Sequence, residues 1–384
     1  MSSFNPRRFV NADTLSHVSA ANLLQLLTTT AGPYFAHRPT PADPPRLDLA
    51  ASPLDFAGLV KVLIQADDAD YPDALADALY HIATFSEEDA VTELLDAFQG
   101  RIVLAALGVN PSPADVSLCA WLMDPVLVER VLGERRLYRS KNMVSYIGPA
   151  DPGAPLGQIP AATLAALQAA LAAWFLKNRG SDFVRVLPYE MGDDTWFLVH
   201  HAKAAERRSV IKNGAQTSSV DRPDRHDLVI YSPERDDLSL NTENDKEREL
   251  YREEFGRHLF GRPGYFAHSD KYTLAPLVAV GAASLLPAGV SGVDKVTLKE
   301  VHYSWGNETE IRKSDDIFAA LASRKVPQLV LPREPFRVSL LVKLATVKRP
   351  RTVVIHKPNK AKYQHDGERD IIEEWLLAQG FINP

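Results

Sequence analysis

The feature that most constrains this chain is a change of hydrophobic period near Asp182. Before it, apolar residues recur every three or four positions, as in Leu59, Val62 and Leu63 or in Leu75, Leu79 and Ile82. After it come short β-branched and aromatic runs between polar turns: Phe183-Val184-Arg185-Val186-Leu187, Trp196-Phe197-Leu198-Val199, Ser209-Val210-Ile211 and Leu228-Val229-Ile230-Tyr231. A helical pattern laid on a strand scatters its apolar residues over both faces, and the converse holds as well. The expectation is an α+β chain, with an all-helical N-terminal half followed by a C-terminal half that contains a mixed or antiparallel sheet.

Helix starts punctuate the first half. Ser52-Pro53-Leu54-Asp55, Ser86-Glu87-Glu88-Asp89, Ser112-Pro113-Ala114-Asp115 and Asp124-Pro125 each offer a side-chain oxygen to the free N–H groups of a first turn. Gly32-Pro33 and the run Arg38 to Pro45 read as an extended connector. The Pro/Gly-rich stretch Gly148 to Pro155 reads as the domain boundary, giving a helical domain over 1–150 and an α+β domain over 151–384. The second domain could itself divide into two sheet–helix subdomains, 181–265 and 290–384. Within it, helices are expected at Ala161 to Lys177, Glu243 to Phe260, Asp315 to Ala322 and Glu368 to Gln379. Further strands are expected near Val296 to Tyr303, Arg337 to Leu344 and Thr352 to Ile355.

Composition excludes several classes. The 384 residues, 45% hydrophobic and 24% charged, suit sizeable cores and not a disordered chain. A single cysteine, Cys119 in an apolar run, excludes an intramolecular disulfide and a cysteine-rich zinc site. The polar start leads into no signal-like apolar core, and no stretch suits a bilayer span, so a cytoplasmic location and no membrane contact are expected. Phosphate-loop, dinucleotide-binding and nucleophile-elbow signatures are missing, so no cofactor and no catalytic residue is assigned.

Three features could carry chemistry. The first is Asp227-Leu228-Val229-Ile230-Tyr231, followed by an acidic turn and a returning strand, Leu238-Ser239-Leu240-Asn241. This hairpin resembles the core hairpin of restriction-type PD-(D/E)xK nucleases. The resemblance implies a divalent metal held between Asp227 and an acid on the returning strand, with a lysine two residues on. The returning strand departs from that pattern: Leu238, Leu240 and Asn241 stand where the acid should be, and Lys246 lies too far along.

The second is His200-His201. Neighbours on a regular strand point to opposite faces, so the two cannot share a metal. His226, His258 and His268 fit no ligand spacing, and a zinc site would need convergence in space.

The third is charge. Arg324 to Lys362 holds eleven Lys/Arg against one acid, Glu334, in a chain whose net charge is −6. The expected contact residues are Arg337, Lys343, Lys348, Arg349, Arg351, Lys357, Lys360 and Lys362, with Lys348-Arg349-Pro350-Arg351 as a hairpin loop. Clustered cations on a sheet suit phosphates or an acidic partner.

Together these point to a non-enzymatic binding or adaptor component of a bacterial multi-protein system, such as an accessory protein of an anti-phage operon. It would contact nucleic acid or a partner protein through the basic strands. A metal-dependent nuclease using Asp227 and a structural scaffold subunit are the alternatives.

Overall fold

The computed structural model describes residues 11, 15, 18–65, 71–108, 110–137, 141–149, 153–212, 215–287, 289–324, 330–363 and 368–383. The chain divides into two compact units, 1–135 with 208–219, and 136–207 with 220–384.

The first unit carries helices α1 (Ala20–Ala36), α2 (Phe56–Gln65), α3 (Asp73–Thr84), α4 (Glu88–Phe98) and α5 (Pro113–Met123), and most of α6 (Pro125–Leu137). Ser112 Oγ accepts from Asp115 N at 3.2 Å and Asp124 Oδ1 from Leu127 N at 3.1 Å, so both caps act as their sequences suggest. The other two do not. Asp55 rather than Ser52 caps α2, accepting from Gly58 N at 2.8 Å. Ser86 instead donates back to Ile82 O at 2.6 Å. Gly32-Pro33 does not end a helix but lies inside α1, beyond a kink at Ala31. The apolar stripes fill two clusters. One is built on Leu27, Phe35, Leu59, Leu79 and Ile82, the other on Phe85, Leu94, Phe98 and Val128.

The second unit is organised by one ten-stranded sheet in which every ladder is antiparallel. Its strands are β1 (Lys141–Ile147), β2 (Val184–Met191), β3 (Asp194–Ala202), β6 (Asp224–Ser232), β7 (Asp237–Asn241), β8 (Val293–Trp305), β9 (Glu308–Lys313), β10 (Arg337–Leu344), β11 (Arg351–His356) and β12 (Lys360–Tyr363). Their order is β2-β3-β6-β7-β1-β12-β11-β10-β8-β9, while β4 (Glu206–Lys212) and β5 (Ala215–Asp221) form a separate two-stranded ribbon. The fold class is thus α+β as the period change requires.

The boundary lies elsewhere than the proline-rich stretch suggests. β1, N-terminal to residue 150, is the central strand that joins β7 on one side to β12 on the other. The strands of the two expected subdomains therefore share one sheet. Gly148 and Gly153 are tied to the β6–β7 turn, their N–H groups donating to Asp236 O and Pro233 O at 2.7 Å each. A Cβ on Gly148 would lie 2.2 Å from Asp236 Oδ2, so this close approach requires glycine. Residues 150–152 lie outside the described residues.

Helices α7 (Ala161–Arg179) and α8 (Asp245–Phe260) cover one face of the first strands. There Leu171, Phe175, Tyr251 and Phe255 pack on Phe197, Val199, Val229 and Leu240. Helix α11 (Arg369–Ala378) covers the opposite face of the later strands, seating Ile372, Trp375 and Leu376 on Val338, Leu340, Val353 and Ile355. Short helices α9 (Pro276–Ala279) and α10 (Ile317–Ser323) border the same core. Among the described residues, no helix is long and apolar enough to cross a membrane.

Where the two stretches of sheet meet, six charges are gathered. Lys271 Nζ, with its side chain 2% exposed, lies 2.7 Å from Asp237 Oδ2 and 3.8 Å from Glu373 Oε1. Arg235 pairs with Glu373 and Asp237, and Arg369 pairs with Asp194 and Glu373. Burial alone would raise the Glu373 pKa, but Arg369, Lys271 and Arg235 hold it well below the usual carboxylate range. Burial would likewise lower that of Lys271, yet Asp237 and Glu373 raise it, so the amine stays charged. Removing one member leaves its buried partners with an unbalanced charge. Lys271→Met is therefore expected to lower unfolding free energy by about 3–5 kcal/mol, read from the denaturant midpoint. A midpoint within error of the parent would show that these charges do not hold the sheet.

Candidate functional site

Cross-strand partners lie on the same face of a sheet, so register tells which face each cation occupies. Val144 of β1 pairs with Leu240 on one side and Lys360 on the other. The face that α7 and α8 bury at Leu240 therefore continues through Val144 to Lys360. Lys360 pairs with His356, and His356 with Arg337; Lys362 pairs with Val354. Strand β10 alternates half-buried and buried along its whole length. Its buried residues lie under α11, leaving Arg337, Ser339, Leu341 and Lys343 on the other face.

The result is a groove of about 590 Å³ lined by Arg337, His356, Lys360 and Lys362, with Arg248 of α8 and Asn142 and Asn241. No acid is among its lining residues. Lys360 and Lys362 are exposed, two residues apart on one strand. Such a spacing sets the two residues about 7 Å apart along the strand, on the same face. The Asn241 amide donates to Asn142 O at 2.9 Å, linking β7 and β1 at the groove floor.

His356 is set by its surroundings. Its Nδ1 lies 2.9 Å from Lys357 O, and a carbonyl only accepts, so Nδ1 carries the proton and Nε2 keeps its lone pair. Burial lowers its pKa, the bond to Lys357 O opposes this, and Lys360 and Arg337 add to the lowering. The ring is thus neutral at neutral pH and offers an acceptor beside cationic donors.

The eight expected contact residues do not form one surface. Arg337, Lys360 and Lys362 converge in the groove. Lys343 shares their face, but its ammonium bonds to Leu344 O at 2.9 Å and to Val347 O. Lys348 and Arg349 are exposed in the turn between β10 and β11. Arg351 lies on the opposite face, where Val342 pairs with it, and forks onto both oxygens of Glu368, 2.6 and 2.5 Å away. Lys357 pairs with Glu334 at 2.9 Å. Arg324 lies outside this set, and Lys325 is outside the described residues. Tyr363, next to Lys362 in sequence, is buried on the far face with its hydroxyl on Glu373. Arg248, Asn142 and Asn241 carry no charge-run signal, because they reach the groove only through pairing of distant strands.

The nuclease-like hairpin forms as β6 and β7, yet Asp227 faces the core under α7 and α8. Its carboxylate is 0% exposed and bonds to Tyr251 Oη at 2.9 Å, His201 Nε2 at 3.0 Å and Arg225 Nε at 2.7 Å. His201 in turn stacks on Phe175, ring centroids 4.1 Å apart. Those bonds fill the room a metal would need, and no acid stands opposite: the partner of Leu228 is Asn241 and that of Val229 is Leu240. Asp227 is a structural anchor joining β6 to α8. Cys119 is half-buried against Met123, and burial raises its pKa, as suits an inert thiol.

Burial would raise the Asp227 pKa, but the His201 bond and the Arg225 charge outweigh it and lower it. A depressed carboxylate stabilises the fold above its unfolded pKa of about 3.9 and loses that contribution as pH falls through the lower folded value. Asp227→Asn should cost about 2–3 kcal/mol at neutral pH and flatten the loss of stability below about pH 4, followed by urea unfolding across pH. An unchanged profile would remove Asp227 from the anchor role. Compared with known proteins, the chain matches no protein-family model, and no curated protein matches it.

Proposed function

We propose that the chain is a non-enzymatic binding component of a multi-protein system, and that its groove receives the phosphate backbone of a nucleic acid. The observation that carries this reading is the lining itself: Arg248, Arg337, Lys360 and Lys362 around a neutral His356, without an acid, on the uncovered part of a sheet face. Among the described residues, Arg337, Lys360 and Lys362 form no ion pair within the chain. Arg248 pairs with Asp245 at the rim. Cations that an anion can neutralise without breaking an internal bridge gain the full benefit of counterion release. Lys348 and Arg349 lie in the turn at the other end of the β10–β11 hairpin from Arg337 and His356, so the reading rests on the groove alone.

The chemistry favours phosphate over bases. Base stacking favours broad exposed aromatic faces, and no Phe, Tyr or Trp is among the groove's lining residues. Recognition is then sequence-tolerant and strongly salt-dependent. The enclosed Asp227 supports a binding role over hydrolysis.

Lys360 and Lys362 are exposed, so their replacement bears little on folding, within about half a kcal/mol each. Arg351 is unsuited to such a test, since Arg351→Glu would set two carboxylates against each other at Glu368. Lys360→Ala with Lys362→Ala should flatten the slope of log K against log salt by about 1.5. Lys360→Glu with Lys362→Glu should abolish retention of labelled DNA or RNA at low salt. Binding that ignores both substitutions would exclude this groove. No binding at any salt, with release of an acidic protein partner by the same variant, would favour protein docking instead.

A further inference from the structure

Strands β3 and β6 bring together what the sequence holds apart. His200 pairs directly with His226, and Ala202 with Asp224. Asp224 and His226, two apart on β6, share a side of the sheet, and His200 stands opposite on that same side. It is the face opposite His201 and Asp227. One ligand atom from each of His200, Asp224 and His226 lies within 4.8 Å of the others. The carboxylate serves both rings: Oδ1 meets His200 Nε2, and Oδ2 lies 3.4 Å from His226 Nδ1. The imidazoles stack with centroids 4.2 Å apart and planes 12° apart, and Phe183 sets its edge on His200 at 5.0 Å. Side-chain exposures of 24% for His200, 17% for His226 and 53% for Asp224 leave the cluster open to solvent.

We propose that His200, Asp224 and His226 form a binding site for a divalent transition metal of the zinc type. Two imidazoles and a carboxylate form a zinc ligand set, and three protein ligands leave a fourth position for water or an exogenous group. Ligand atoms about 2 Å from a tetrahedral ion lie about 3.3 Å from one another, so His200 Nε2 and Asp224 must part slightly and the stacked rings must turn until their lone pairs converge on one ion.

Arg136 makes the site conditional. Its Nη1 lies 2.6 Å from His226 Nε2 and, less closely, 3.3 Å from Nδ1. A guanidinium only donates, so in this arrangement Nε2 accepts and the ring proton sits on Nδ1, toward Asp224. Binding a metal through Nδ1 moves that proton to Nε2, where it opposes the guanidinium. Binding through Nε2 requires the guanidinium to leave. By either route Arg136 competes with the ion and must turn away. Ligating histidines ordinarily donate their other N–H to an acceptor, and Arg136→Gln would supply one.

The test uses the full chain, stripped with chelator and titrated with Zn2+ by calorimetry, and with Co2+ for its visible absorption. One equivalent should bind, with the intensity of a tetrahedral cobalt site. His200→Ala and His226→Ala should each remove it without altering the thermal melt. Arg136→Gln should tighten it by at least about tenfold, in the range typical of outer-shell partners. Zinc binding that survives both histidine substitutions would place the ion elsewhere among the histidines and overturn the site. No binding in either the parent or Arg136→Gln would do the same. The groove lies on the other face, so failure here leaves the phosphate reading untouched.

Discussion

Six charges, four of them buried, tie the β6–β7 turn to helix α11. Lys271, Arg235 and Arg369 meet Asp194, Asp237 and Glu373 where strands β3, β6 and β7 approach helix α11. The signs balance, three against three, and Lys271, Arg369, Asp237 and Glu373 are buried. Charges removed from water are tolerated only when each faces an opposite charge at close range. The cluster therefore fixes relative position more than it adds net stability, since buried pairs roughly cancel their own desolvation cost.

Strand β1 is the other half of that constraint. Among the described residues, it is the strand that hydrogen-bonds to both β7 and β12. Both its faces are buried: Val144 lies against the strands beneath α7 and α8, and Met143 against Leu198 and Ile230. Ser145, equally buried, bonds to Ser239 Oγ at 2.7 Å. With β1 in place, the face covered by α7 and α8 runs on without a break into the stretch that no helix of this unit covers. The groove is a consequence of that mismatch. Helices cover opposite faces of the two stretches, so one face must emerge from under α8, and its cations emerge with it.

The cation pattern illustrates why a charge run is a poor guide to a surface. Arg351 and Lys362 belong to the same sequence run, yet strand alternation sends one beneath the sheet to Glu368 and the other into the groove. Lys357, one residue beyond β11, is drawn to Glu334. Arg248 comes from a helix whose sequence reads as charged and amphipathic. A histidine pair shows the same effect: His200 and His201 are adjacent, but one stacks on Phe175 in the core while the other meets His226 across the sheet.

The sequence by itself determined the class of structure and most of its elements. Period and β-branched runs place β10 at Arg337–Leu344, α7 at Ala161 and the change from helices to strands, because these depend on neighbours within a few positions. Ser112 and Asp124 announce their helices for the same reason. Only the tertiary structure decided the rest. β1 was hidden because Lys141-Asn142-Met143-Val144-Ser145-Tyr146-Ile147 alternates on two buried faces with polar members, and carries no one-sided pattern. β9 and β12 are short and charged, and their strand state comes from pairing with β8 and β11. The groove, the anchor at Asp227 and the His200–Asp224–His226 cluster all depend on register between distant segments. A shift of one residue would turn each of those side chains to the other face, and no local property of the chain encodes which register is taken.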